Sequence, residues 1–242
     1  MSSTPPGRVA LVIPARDEEA SVGAVVAEMR AQPVGLAEVV VVDNGSRDAT
    51  ASRARDAGAR VVSEPRAGYG RACLAGLAAL AADPPEVVVF ADADRSDDPA
   101  DLASLLAPIA AGRADLVIGS RRLGQLAGRV EPGALLPQAR WGNWLACALM
   151  RARWGARFTD LGPFRAVRWE ALERLGTRDP TFGWTVEMQV RALRAGLGWA
   201  EVPVAYRRRV GRSKISGTVN GTVRAGSKIL WTVGVHALRG PL

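Results

Sequence analysis

Residues 86–94 read EVVVFADAD. An apolar run this short, with no alternation, reads as a strand buried on both faces. Two carboxylates, Asp92 and Asp94, follow immediately beyond its end. The same unit recurs outward in both directions. Arg8–Ile13 (RVALVI), Glu38–Val42, Arg60–Ser63 and Asp115–Ile118 are further apolar runs. Between them Glu18–Ala31, Arg47–Ala57, Gly68–Ala82 and Pro99–Ala110 carry helical spacing, the last with proline at its start. Strand and helix alternating at this pitch predict βαβ units and an α/β fold with a mainly parallel sheet flanked by helices. In such sheets ligands bind beyond the carboxyl ends of the strands. Every polar cluster stands at that end: Arg16-Asp17-Glu18, Asp43-Asn44, Arg66–Gly70, Asp92-Ala93-Asp94 and Gly119–Arg122. They are expected to converge in space.

The second half is less regular. Gly124–Pro137 reads as a mobile loop, Gln138–Ala152 as a helix, and Phe164–Arg168 as a strand. Trp184–Ala195 is a helix stopped by Gly196, Trp199–Tyr206 a strand, and Gly217–Leu238 a helix. With no repeat and no linker, the 242 residues are taken as one domain, with a flexible 1–7 N-terminus and a basic segment at 207–242. A chain of this length buries roughly 70–75% of its unfolded surface. Hydrophobic residues at 48% and charged residues at 23% exclude a disordered chain.

Composition narrows the chemistry. The one histidine, His236, stands near the end, which removes histidine triads and His/Cys zinc sites from the body of the protein. Cys73 and Cys147 read as inert buried thiols. The formal charge is +8, and no acidic residue follows Glu201. The excess therefore lies in the C-terminal segment, with Arg207, Arg208, Arg209, Arg212 and Lys214 clustered at its start. Such a block suits an anionic partner: phosphate, an acidic membrane surface or nucleic acid. Only Tyr206 and Trp231 are aromatic there, so stacking platforms are scarce and nucleic acid is not expected. No apolar run approaches a membrane span, and residues 1–7 lack a signal-peptide core, so a cytoplasmic enzyme, peripheral on the inner membrane face, is expected.

Asp92 and Asp94 can hold one hard divalent cation that bridges phosphate oxygens; the bland alternative is a loop with Asp97 or Asp98 capping the Pro99 helix. Asp43 can accept from a base N–H or ribose hydroxyl, or cap the next helix together with Asn44 and Ser46. The Gly-rich entry Arg66–Gly70 can meet phosphate or only turn tightly.

Together these residues resemble glycosyltransferase family 2, with its GT-A fold. Val12–Glu19 (VIPARDEE) resembles the family opening V-I-P-A-x-N-E, and Val41–Thr50 (VVDNGSRDAT) resembles V-V-D-D-G-S-x-D-x-T. Asp92-Ala93-Asp94 matches its DxD. Gly119-Ser120-Arg121 and Arg209–Lys214 are similar to the branch of dolichyl- and polyprenyl-phosphate sugar synthases. Asp17 and Asn44 replace the family's usual Asn and Asp, and Arg95-Ser96 stand where that branch has Leu-Gln. The resemblance implies an inverting transfer from a UDP- or GDP-sugar to a polyprenyl phosphate, or alternatively to a soluble hydroxyl acceptor. It implies Pro14, Arg16, Glu18 and Asp43 around the donor nucleoside, and Mg²⁺ or Mn²⁺ on Asp92 and Asp94. It places Arg121, Arg209, Arg212, Ser213 and Lys214 on phosphates, with Asp94 and Arg121 at the reacting centre. Arg165, in Phe158–Arg165, is an acceptor-phosphate contact or a structural ion pair. Glu187 is a general base for a hydroxyl acceptor, a group that orients acceptor-site arginines or the donor, or only a charge that favours its helix N-terminus.

Overall fold

The computed structural model describes residues 7–211 and 219–237. Arg212, Ser213 and Lys214 lie outside the described residues, as do residues 1–6 of the expected flexible terminus. The elements in chain order are β1 (Val9–Ala15), α1 (Val22–Arg30), β2 (Glu38–Asp43), α2 (Thr50–Asp56), β3 (Arg60–Ser63), α3 (Tyr69–Leu80), β4 (Val87–Phe90) and α4 (Leu102–Ala110). There follow β5 (Leu116–Ser120), α5 (Arg121–Leu126), α6 (Pro137–Trp154), β6 (Arg165–Arg168), α7 (Trp169–Leu175), α8 (Trp184–Arg194), β7 (Trp199–Pro203) and α9 (Val219–Ala237). One seven-stranded sheet runs in the order β3-β2-β1-β4-β6-β5-β7. β6 lies antiparallel between β4 and β5, and the other strands share one direction. The sheet is mainly parallel, as the alternation predicts.

The apolar runs lack alternation because both faces are covered. Ala10, Val12, Val40, Val42, Val88 and Phe90 face one side with α3, α6 and α8, while Val9, Leu11, Ile13, Val39, Val41 and Val89 face the other with α1 and α4. Trp184 of α8 is fully buried on the first side, edge-on to Phe90 at 6.0 Å. It anchors the second half of the chain to the strand that carries the carboxylate pair.

Three expectations change. The Glu18 helix starts only at Val22, because residues 17–21 are pinned to the β2–α2 connection: Glu18 N donates to Thr50 Oγ1 (2.8 Å) and Asp17 N to Ser46 Oγ (3.0 Å). Gly124–Pro137 is not a free loop. α5 runs into it, capped by Ser120 Oγ accepting from Leu123 N (3.1 Å), and the rest is tied by Glu131 N donating to Tyr206 O and by an Arg129–Asp101 ion pair. Helix α7, absent from the sequence reading, is WEALERL closed by Gly176 at φ +53°. No helix among the described residues is long and apolar enough to cross a membrane. Both cysteines are buried and free, and burial pushes the Cys73 thiol well up and that of Cys147 to about 12.

The Trp184 indole N–H has no hydrogen-bond partner among the described residues. Its contribution is therefore packing alone. Trp184→Ala should cost about 3–5 kcal/mol in denaturant unfolding, and Trp184→Phe less than about 1.5 kcal/mol. A phenylalanine variant as unstable as the alanine variant would contradict this.

Candidate active site

Beyond the end of β4 the chain turns sharply. Arg95 adopts φ +65°, a conformation unusual for a residue with a side chain. The turn folds Ser96 back on Asp94, whose Oδ1 accepts from Ser96 N (3.0 Å) and Ser96 Oγ (2.5 Å). Asp97 Oδ2 accepts from Asp92 N (3.0 Å), and Asp98 Oδ1 caps the next turn through Ala100 N (3.0 Å). The cap and the carboxylate pair thus use different residues. Arg95 itself points away, to an ion pair with Glu28.

The segment after β7 crosses this turn. Arg207 N donates to Ser96 O and Val210 N to Asp94 O, each at 2.9 Å. This crossing delivers Arg209: its Nη2 lies 3.0 Å from Asp94 Oδ2 and 3.6 Å from Glu18 Oε1. Its buried Nε has no partner among the described residues. Burial pushes the Asp92 carboxyl well above its ordinary value; Asp94 and Asp97 add to the rise, while Arg121 and Arg209 oppose it. Burial likewise raises Asp97 to about 7, and its Oδ1 has no hydrogen-bond partner. Buried carboxylates in excess over their cations, with an orphaned oxygen, are the donor set a hard divalent ion fits. Among the described residues no three Asp, Glu, His or Cys side chains form a metal cage by themselves, so ligands beyond Asp92 and Asp94 would have to come from elsewhere, as when magnesium binds substrate phosphates.

Asp92, Asp94 and Arg209 floor a cavity of about 400 Å³, lined also by Pro14, Arg16, Glu18, Asn44, Gly68, Tyr69, Thr181 and Phe182, with Asp97 behind them. Six of the sequence-predicted residues therefore meet there: Pro14, Arg16, Glu18, Asp92, Asp94 and Arg209. Asp43 does not line it; its Oδ1 accepts from Ser46 N (3.0 Å). Neither it nor Asn44 caps α2, whose N-cap position is Ala49; Asp48 Oδ1 accepts from Thr50 N (3.0 Å) just before the helix. Asn44 takes the place at the cavity and ties its loop to the β3–α3 connection, donating to Glu64 O and Arg66 O and accepting from Gly68 N. The 178–182 loop forms the opposite wall. It approaches the Gly68–Gly70 turn so closely that a Cβ on Gly70 would lie 1.9 Å from Asp179 O. That close approach explains the glycines of RAGYG.

Glu187 and Arg165 are placed differently from the expectation. Glu187 is buried, and its carboxylate accepts from Arg178 N (2.9 Å), Asp179 N (2.6 Å) and Arg191 Nε (2.9 Å). It supports the 178–182 loop, lines neither this cavity nor the one between α5 and α6, and its oxygens are already taken by these donors. Arg165 is fully buried and spends its guanidinium on the carbonyls of Leu161, Gly162 and Thr185. Burial lowers it to about 10. It is a buried brace of the 161–162 turn and not a phosphate contact.

Arg121 belongs to a second cavity of about 620 Å³ between α5 and α6. Its guanidinium forks Asp160 (2.7 and 2.8 Å) and lies 5.3 Å from the Tyr206 ring centroid. Burial works against its charge, but Asp160 outweighs that and holds it well above its ordinary value. Asp160 is itself fixed, with Glu201 Oε1 accepting from its backbone N–H (3.0 Å). Arg122, Arg140, Arg151, Trp141 and Trp144 also line this cavity. Arg122 stood in the Gly119–Arg122 strand-end cluster; the other four were not singled out from sequence, because contact between α5 and α6 has no local signal. Asp97, three residues from Asp94, was visible only as a cap, while Thr181 and Phe182 carry no recognisable pattern.

Because the folded state raises Asp97 from 3.8 to about 7, it binds more protons than the unfolded state in that window. Stability of the protein without added metal should therefore fall as pH rises from about 4 to about 7. Urea titrations across this range should show the slope, and Asp97→Asn should flatten it. An unchanged slope in Asp97→Asn would contradict the assignment.

The glycosyl transferase family 2 profile matches residues 10–176. An uncharacterised glycosyltransferase of Mycobacterium tuberculosis is 43% identical over 218 residues, 90% of this chain and 94% of that protein. A dolichyl-phosphate hexose transferase of Haloferax volcanii is 36% identical, covering 88% and 89%. Among solved structures, glucosyl-3-phosphoglycerate synthase from M. tuberculosis in complex with Mn²⁺, UDP-glucose and phosphoglyceric acid superposes with a TM-score of 0.73 at 25% identity, over 95% of this chain and 79% of that one. The sheet order, the polar strand ends and these matches agree: the chain belongs to glycosyl transferase family 2, has the GT-A fold and is a glycosyltransferase.

Proposed function

We propose that this protein moves a sugar from a nucleoside-diphosphate sugar to the phosphate of a prenyl lipid, with inversion at the anomeric carbon. The observation that carries the reading is the pairing of two unlike cavities. One is floored by carboxylates and closed by Arg209. The other is walled by Arg121, Arg122, Arg140 and Arg151 beside Trp141 and Trp144. Arg121 links them, since it lines the second while its charge acts on Asp92 and Asp97. A donor diphosphate suits the first cavity; an acceptor both anionic and apolar suits the second.

Asp92 and Asp94 would hold Mg²⁺ or Mn²⁺, which when bound neutralises the departing diphosphate. Glucosyl-3-phosphoglycerate synthase has been solved with Mg²⁺ and UDP as well as with Mn²⁺, which supports that choice. Arg16, Glu18 and Asn44 line the cavity where a nucleoside would be held. Arg209, with an unsatisfied Nε, can leave Asp94 for a phosphate oxygen. Arg121 stays in register through its fork to Asp160 and can hold the acceptor phosphate in line. A phosphate acceptor is already an anion at neutral pH and needs no general base, consistent with a Glu187 whose oxygens are taken. Catalysis is then positioning and charge stabilisation.

The Haloferax relative named for dolichyl phosphate supports a lipid acceptor. The structural match to an enzyme solved with phosphoglyceric acid supports a second reading, a soluble phosphorylated acceptor in the same arginine-lined cavity.

A panel of UDP- and GDP-sugars, with Mn²⁺ or Mg²⁺, separates these readings when run with farnesyl phosphate, with 3-phosphoglycerate and with neither. Nucleoside diphosphate release should depend on metal and rise with the prenyl phosphate. Asp94→Ala should lose on the order of a hundredfold or more. Stimulation by 3-phosphoglycerate alone would move the acceptor to the soluble class. Release indifferent to metal and to both acceptors would overturn the proposal.

A further inference from the structure

Helices α5, α6 and α9 contain no aspartate or glutamate, although they span 121–126, 137–154 and 219–237. The same three helices carry every large hydrophobic side chain that is exposed among the described residues: Leu126, Trp141, Trp144, Leu149, Leu230 and Trp231. Trp141, Trp144 and Trp231 are 62–68% exposed, whereas elsewhere the chain buries its large apolar groups. α6 and α9 pack side by side, joined near their C-terminal ends by Arg153 Nε donating to Ala237 O (3.1 Å). Arg140 and Arg151 are exposed on α6, and neither has a carboxylate partner among the described residues.

We infer that the face built by α5, α6 and α9 docks on an anionic lipid bilayer. Unpaired arginines with exposed tryptophans on adjoining helices match the interfacial zone of a membrane. There the indole seats at headgroup depth and arginine meets lipid phosphate. Charge argues against a second copy as the occupant: two such faces, cationic and without acids, would repel across a two-fold axis. The inference does not depend on the acceptor, because it concerns the bilayer and not the molecule in the cavity.

The test uses the full chain with phosphatidylcholine vesicles, with and without phosphatidylglycerol, and with neither prenyl lipid nor nucleotide sugar present. The protein should sediment with the phosphatidylglycerol vesicles, and its tryptophan emission should shift to the blue. Each charge near an anionic surface contributes about 1 kcal/mol, so Arg140→Gln with Arg151→Gln should lower partitioning about thirtyfold. Trp144→Ser with Trp231→Ser should reduce both binding and the blue shift. Quenching of the unmodified protein's tryptophan emission by brominated lipid reads the same contact without any substitution. The inference is overturned by any of three results: no partitioning into phosphatidylglycerol vesicles, arginine and tryptophan variants that partition like the parent, or a dimer in sedimentation velocity that Trp144→Ser with Trp231→Ser splits. The last result would assign the face to a second copy.

Discussion

The structure turns on one electrostatic constraint: Asp94 and Asp97 are buried beside a half-buried Asp92 at the end of the central strand β4. Buried carboxylates are costly unless cations or hydrogen bonds answer them. Much of the local architecture supplies those answers. The left-handed turn at Arg95 lets Ser96 bond Asp94. The segment after β7 crosses the turn so that Arg209 reaches Asp94 and Glu18. Tyr206, on the same segment, bridges to Asp97 and stacks on Arg121. The answer is incomplete, since Asp97 keeps an orphaned oxygen and Arg209 an orphaned nitrogen. In the proposed function, a divalent cation with a phosphate would answer that imbalance.

The supporting shell is as specific as the cluster. Glu187 holds the amides of Arg178 and Asp179, and the loop so held closes on Gly68 and Gly70. Arg165 gathers carbonyls behind the Asp160 loop, and Asp160 in turn fixes Arg121. Two residues that a family resemblance places in direct chemistry thus act by positioning others. Arg121 lines the α5–α6 cavity, and its charge acts on Asp92 and Asp97 at the end of β4.

What was legible in the sequence follows from which interactions are local. Uninterrupted runs such as EVVVF declare a strand covered on both faces, and polar residues after each run mark the ligand edge. Hence the mainly parallel sheet and, at the ligand edge, Arg16, Glu18, Asp92 and Asp94 could be read directly, while Pro14 and Arg209 came with the family resemblance. The antiparallel direction of β6 could not be, because Phe164–Arg168 looks the same in either orientation. Arg165 came only with the family resemblance, and only the fold shows the carbonyls of Leu161, Gly162 and Thr185 waiting for it. The α5–α6 cavity was invisible because Arg122, Arg140 and Arg151 are separated by a stretch that reads as loop. The basic block at 207–242 was legible as charge, but its Arg209 proved to be partner to the carboxylates as well as a candidate for phosphate.

The central claim is that Asp92 and Asp97, raised by burial, hold protons until a cation with its diphosphate replaces them. Calorimetric titration of Mn²⁺ with a UDP- or GDP-sugar, in two buffers of different ionisation enthalpy, measures the protons exchanged on binding. Release of protons near neutral pH, lost in Asp97→Asn and with metal binding itself lost in Asp94→Ala, is the predicted result. Tight donor binding that needs no metal and releases no protons would contradict the account.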